Sequence, residues 1–117
     1  MISSKRPISV TILACVYLAV GLGGFVAHFR ELLAGHPDAV AIEVTELTAI
    51  VCGVFLFRGQ NWARWLALAW IAFHVVLSAF HAIPELAIHA VFCAVFAWVL
   101  FRPEAARYFR GARVEAT

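Results

Sequence analysis

Four apolar stretches, each roughly twenty residues long, account for most of this 117-residue chain. They cover about residues 8–29, 39–57, 62–82 and 85–101. A helix needs roughly 20 apolar residues to cross a bilayer, at about 1.5 Å of rise per residue. With 64% hydrophobic and 14% charged residues, the chain lacks the polar residues that would cover a soluble domain. The sequence therefore predicts one all-α domain, an integral membrane four-helix bundle in up-down-up-down order.

Residues between the stretches predict where each helix begins and ends. Gly59 is typical of the position after a helix C-terminus, and Asn61 is typical of the next N-cap. Pro84 suits the first turn of the fourth helix. The polar link that begins at Arg30 is expected to end the first helix at Phe29. Although basic residues precede that helix as in a signal peptide, its length predicts an uncleaved span.

Basic residues are sorted to one end of the predicted bundle. Arg30 lies at the opposite end, and the other eight of the nine lie together: Lys5, Arg6, Arg58, Arg64, Arg102, Arg107, Arg110 and Arg113. Loops rich in lysine and arginine stay in the cytoplasm, which predicts cytoplasmic termini in the inner membrane. The basic tail, residues 102–117, is expected to contain a short helix from Pro103 to Arg113 that lies on the anionic leaflet.

Three ionisable residues on different spans share one predicted depth. Glu46, His74 and His89 each lie twelve residues from the basic end of their span, or about 18 Å. A charge at the centre of a membrane helix costs about 2.5–3.5 kcal/mol, so such residues turn towards the bundle interior. The pattern predicts a polar layer of these three side chains, with a mouth on its outer side formed by Glu43, His81 and Glu85.

Helical spacing also predicts that each of the four spans has one polar or small-residue face. On the first span, Tyr17, Gly21, Gly24 and His28 form one stripe, in which the glycines permit close helix contact. His28, His36 and Glu31 are expected to lie near the outer surface in contact with water. Ser78 shares a stripe with His74 and His81 on the third span.

Several chemistries fit the predicted layer. Imidazole and carboxylate groups bind iron, zinc or copper, and two histidines on facing helices can hold a haem iron. A carboxylate beside neutral histidines also suits proton transfer. The same residues can instead hold helices together through hydrogen bonds of about 0.6 kcal/mol each. The sequence alone does not choose among a bound cofactor, proton transfer and structure.

The segment from Glu46 to Arg64 resembles the DoxX-like group of small bacterial four-span proteins. Glu46, Gly53, Gly59 and Arg64 match its pattern of a glutamate, a glycine-containing apolar run, a glycine turn and an arginine. The segment is about a sixth of the chain. The resemblance implies an accessory subunit of a membrane redox or quinone-linked system. The histidines of the third and fourth spans lie outside that pattern.

Three classes of function follow from these patterns. The first is a subunit of a membrane redox system whose His/Glu cluster binds a metal or haem. The second is a proton-coupled carrier or channel that acts as an oligomer, and the third is a structural interaction protein. The expected surroundings are the lipid bilayer and a homo-oligomer or larger membrane complex. No basic face or phosphate-binding loop indicates a nucleic-acid partner, and no nucleophile with a base indicates a hydrolase. Whether the protein is an enzyme stays open.

Overall fold

The computed structural model describes the backbone of residues 5–116 and the side chains of residues 5–110. This part of the chain forms five helices: α1 (Ile8–Leu33), α2 (Ala39–Phe57), α3 (Asn61–Ala79), α4 (Ile83–Phe101) and α5 (Pro103–Ala116). The first four are long and apolar enough to cross a membrane, with mean hydropathy between 1.4 and 2.2. The predicted fold class, an all-α four-helix bundle of membrane type, is confirmed.

Helix α1 is longer than predicted. It continues through Arg30 and Glu31 to Leu33, whereas the sequence predicted its end at Phe29. The polar pair does not break the helix, because arginine and glutamate are both good helix formers. The chain turns only at Gly35, whose φ of 75° lies in the left-handed region.

The α2–α3 turn follows the prediction at its glycine but not at its cap. Gly59 has a φ of 71°, as expected of a residue just past a helix end. The N-cap of α3 is Gln60, without a side-chain hydrogen bond, and Asn61 is the first helical residue. Asn61 is not the cap because its side-chain oxygen accepts instead from Arg64 Nε, at 3.0 Å.

The α3–α4 link lies earlier in the chain than predicted. Helix α3 ends at Ala79 rather than Ala82, and α4 begins at Ile83 rather than Glu85. Pro84 lies in the first turn of α4, as predicted. A proline is tolerated there because the first backbone amides of a helix have no partner within it.

Glycines of α1 and α2 bring these two helices into the closest contact of the bundle. A Cβ at Gly21 would lie 2.8 Å from the carbonyl oxygen of Glu46. A Cβ at Gly53 would lie 2.9 Å from the carbonyl oxygen of Ala14. Helix α3 packs mainly on α4, and α2 joins the two pairs through α3. Helices α1 and α4 touch little, so the bundle is open between them.

Helix α5 folds back onto the end of the bundle that holds the α2–α3 turn. The Tyr108 hydroxyl donates to the Phe57 carbonyl at 2.6 Å, and Phe109 is fully buried. The Arg64 guanidinium lies over the rings of Phe101 and Phe109, at 4.5 Å and 5.1 Å from their centroids.

The start of α1 lies at this same end, because Arg6 donates to the Phe57 carbonyl at 3.1 Å. The assignment of this end to the cytoplasm rests on its basic residues and stays a prediction. The predicted tail helix is confirmed and extends to Ala116. The side chain of Arg113 lies outside the described residues.

Candidate functional site

His74 of α3 and His89 of α4 face each other, with ring centroids 5.9 Å apart. The Nδ1 atom of His74 lies 2.8 Å from the Trp70 carbonyl oxygen, and that of His89 lies 2.9 Å from the Glu85 carbonyl oxygen. A carbonyl oxygen only accepts hydrogen bonds, so each Nδ1 carries a proton and donates. The Nε2 atom of each neutral ring then keeps a lone pair for a ligand.

Ser78 connects the two histidines across the α3–α4 interface. Its side chain is only 3% exposed, and its hydroxyl donates to the His74 carbonyl at 2.8 Å. The same oxygen lies 2.7 Å from Nδ1 of His89, so it shares the one N–H of that atom with the Glu85 carbonyl. The orientation of the His89 ring is therefore set from both its own helix and the neighbouring one.

A cavity of about 320 Å³ lies where α1 and α4 separate, and we call it the aromatic cleft. Its walls come from three helices: Val16, Tyr17 and Val20 of α1, Trp70 and Ile71 of α3, and His89, Phe92 and Phe96 of α4. Val16, Val20 and Phe92 are exposed on the outer surface of the bundle. An apolar molecule dissolved in the bilayer can therefore reach the cleft directly from lipid.

The rings at the base of the aromatic cleft pack on one another. Tyr17 is 1% exposed, and its ring centroid lies 5.3 Å from that of Trp70 and 5.6 Å from that of Phe96. The Tyr17 hydroxyl donates to the Ala67 carbonyl at 2.5 Å. The Trp70 indole donates to the Thr45 carbonyl at 2.9 Å. These bonds fix the orientation of both rings.

Glu46 lies on the other side of the bundle, at the α1–α2 interface. Its carboxyl group occupies the space beside Gly24, where a Cβ would collide with it. The titratable groups near Glu46 are His28 of α1 and Glu43 of its own helix. The predicted layer is thus divided into a histidine pair between α3 and α4 and a carboxyl pair between α1 and α2.

The division has a direct consequence for metal binding. Among the described residues, no group of three or more His, Cys, Asp and Glu side chains is placed to hold a metal ion. Equal depth did not bring Glu46 to His74 and His89, because the glycine stripe of α1 draws the glutamate face of α2 towards itself. Within this part of the chain the structure does not support a metal site at Glu46, His74 and His89, and a role for these residues stays a prediction.

The predicted mouth residues are separated in the same way. Glu43 is 3% exposed and belongs to the carboxyl pair. His81 and Glu85 are exposed near the α3–α4 link. His81 donates from Nδ1 to the Leu77 carbonyl at 2.8 Å, within its own helix.

Two parts of these sites were missed from the sequence. Trp70 and Phe96 read as ordinary apolar residues, although Trp70 lies one helical turn before His74 and stacks on it at 4.0 Å. His28 was expected to face water, but it is half-buried and lies near Glu46. Its place in the stripe with Gly21 and Gly24 was the available signal.

The fold and the site define a small four-span membrane protein with a histidine at an aromatic cleft open to lipid. In comparisons with known proteins, no family model, no curated protein and no solved structure matches the chain. The resemblance to the DoxX-like group stays a prediction. Of the residues that carry it, Gly53 and Gly59 serve close packing and a turn here, and Arg64 binds α4 and Asn61.

Proposed function

We propose that this protein is a small subunit of a membrane redox system and binds a lipid-soluble carrier of the quinone class in the aromatic cleft. The observation that carries the proposal is the cleft itself, about 320 Å³ in volume, lined by aromatic rings and by His89. Ligand sites typically have volumes of about 300–1,000 Å³, apolar walls and a few well-placed polar groups. The role in a redox system rests on the DoxX-like resemblance.

The walls of the aromatic cleft suit a flat ring that carries oxygen atoms. The half-buried rings of Trp70 and Phe96, held in place by the buried Tyr17 ring, offer offset or edge contacts to a planar ligand. The Nε2 atom of neutral His89 accepts a hydrogen bond, as a quinol hydroxyl would require. When His89 is protonated, Nε2 donates instead, as a quinone carbonyl would require.

The same geometry favours a quinone over a metal or a haem. The cleft lies at the lower end of the volume range of ligand sites, which favours a head group of one or two rings over a porphyrin. Within the described part of the chain, only the imidazoles of His74 and His89 meet beside the cleft, and no third metal ligand joins them. A quinone needs no such third ligand.

Fluorescence of the purified protein in nanodiscs tests the proposal. A benzoquinone with an alkyl tail is titrated, and the quenching of tryptophan fluorescence is measured. We expect saturable quenching, because Trp70 forms part of the wall, and loss of the saturable part in Trp70→Phe. Removal of one good polar contact in His89→Ala should raise the Kd about tenfold, or about 1.4 kcal/mol.

The matched control is His81→Ala, since His81 is exposed and lies outside the walls of the aromatic cleft. It should bind like the unaltered protein. Quenching of the tryptophans outside the cleft measures the background from quinone that is only dissolved in the bilayer. Quenching that does not saturate, or that is equal in all variants, would refute quinone binding in this cleft.

A further inference from the structure

The Glu43 carboxyl group is buried without a hydrogen-bond partner among the described residues, and the neighbouring Glu46 carboxyl group is half-buried beside α1. Glu43 is 3% exposed, and neither of its carboxyl oxygens has a partner. The Oε2 atom of Glu46 is also buried without one. A buried carboxylate without compensation costs several kcal/mol, and a bound proton removes that charge.

The groups around this carboxyl pair come from three helices. Glu43 and Glu46 lie three residues apart on α2 and so share a face. From α1, His28 interacts with Glu46, and Gly24 leaves space for its carboxyl group. From α3, the Trp70 indole reaches α2 at the Thr45 carbonyl. Arg30 of α1 is exposed.

His28 adds a basic atom to the carboxyl pair. Its Nδ1 donates to the Gly24 carbonyl at 2.8 Å, so the Nε2 atom of the neutral ring is left as an acceptor. His28 is therefore the titratable group of α1 that lies near Glu46.

A second cavity, about 260 Å³ in volume, lies at the α1–α2 link. It is lined by Glu31, His36, Asp38, Ala39 and Ile42. The three ionisable residues among these are exposed to water. Glu43 directly follows Ile42 and lies one turn beyond Ala39, about 6 Å further along the helix axis.

We propose that Glu43 and Glu46 form a proton-binding site inside the membrane, filled from the α1–α2 link through this acid-lined cavity. A proton passes from water at the link to the Glu43 carboxylate and then to the Glu46 carboxylate. Each transfer forms one O–H bond and breaks another, and no electron moves. The site is separate from the aromatic cleft and is independent of quinone binding.

Infrared difference spectroscopy of the protein in nanodiscs, recorded across a pH titration, tests the site. We expect a carbonyl band of protonated carboxylic acid that titrates with pH and shifts in heavy water. Glu43→Gln and Glu46→Gln should each remove part of this band. Glu85→Gln, at an exposed glutamate of α4, should leave it unchanged.

Other variants separate folding and access from proton binding. If Glu46→Gln does not fold, Glu46→Asp replaces it in the test. Glu46→Asp keeps a carboxyl group and should keep a titrating band at a shifted frequency. Asp38→Asn should slow the appearance of the band after a pH jump without changing its final size. A titration without any buried-carboxyl band, or a band that persists unchanged in both glutamine variants, would overturn the proposal. Quinone quenching in Glu46→Gln should be unaltered, so the two proposals fail separately.

Discussion

Replacement of Gly21 by alanine should destabilise the α1–α2 interface, because there is no space for a Cβ atom at this position. A Cβ there would lie 2.8 Å from the Glu46 carbonyl oxygen and 2.8 Å from the Ile50 backbone nitrogen. Backbone atoms of a helix cannot rotate away as the end of a side chain can. In Gly21→Ala the two helices must therefore separate, by roughly 0.5 Å, to restore ordinary contact.

The expected loss in the free energy of unfolding follows from the interactions that hold membrane helices together. Lipid supplies no hydrophobic driving force between helices, so van der Waals packing carries much of their association. A gap of about 0.5–1 Å loses a quarter to a half of that attraction, and overpacking typically costs about 1–3 kcal/mol. The better helix propensity of alanine returns up to about 1 kcal/mol. We expect Gly21→Ala to lower the free energy of unfolding by about 1–2 kcal/mol.

Gly23→Ala is the matched control, because it makes the same chemical change on the same helix. A Cβ at Gly23 meets no atom within 4 Å, so this variant should be neutral or slightly stabilised. Unfolding in mixed micelles, followed by far-UV circular dichroism, gives the free energy of unfolding for both variants. Equal values for Gly21→Ala and Gly23→Ala would refute the close approach of α1 and α2 at this point.

Three further predictions concern other parts of the molecule. Tyr108→Phe removes the hydrogen bond from α5 to the Phe57 carbonyl at the end of α2. It should lower the free energy of unfolding by only about 0.5 kcal/mol, because Arg6 still donates to the same carbonyl, and unfolding in mixed micelles measures this change. Ser78→Ala frees one side of the His89 ring and should cost about 0.6 kcal/mol in unfolding and weaken quinone binding about threefold in the fluorescence titration. The backbone amide of Glu104, together with the Arg102 side chain, holds the pKa of the Glu104 carboxyl below its ordinary value. The ionised carboxylate therefore stabilises α5 at neutral pH, and this stabilisation is lost as the pH falls through that lowered pKa. Circular dichroism at acid pH should show a smaller loss of helix in Glu104→Gln than in the unaltered protein.

The two proposed sites occupy different helix pairs. The aromatic cleft lies where α1 separates from α4, and the carboxyl pair lies where α1 meets α2 most closely. In the two proposals, the quinone enters its site from lipid, and the proton enters its site from water at the α1–α2 link. Helix α1 contributes to both sites, through Tyr17 on one face and Gly24 and His28 on another.

Hydropathy and local backbone preference were enough to predict much of this fold from the sequence. The apolar runs predicted the four helices, and Gly59 and Pro84 predicted two of the turns, because these features depend only on nearby residues. The ends of α1 and α3 were placed wrongly, since the preferences of a few residues do not set where a helix stops. Spacing along α3 also predicted that Ser78 shares a face with His74.

Hydropathy and local backbone preference could not predict which helix each polar face packs against. Depth along the bundle is a property of one helix and follows from residue count, so the sequence alone predicts that Glu46, His74 and His89 lie within the spans. Which helix each of them meets depends on how the helices rotate about their axes and how closely they approach. Here the glycines of α1 admit the backbone of α2 and turn Glu46 towards them, while the histidines meet across the α3–α4 interface. That choice depends on contacts between residues far apart in the chain, which only the folded bundle brings together.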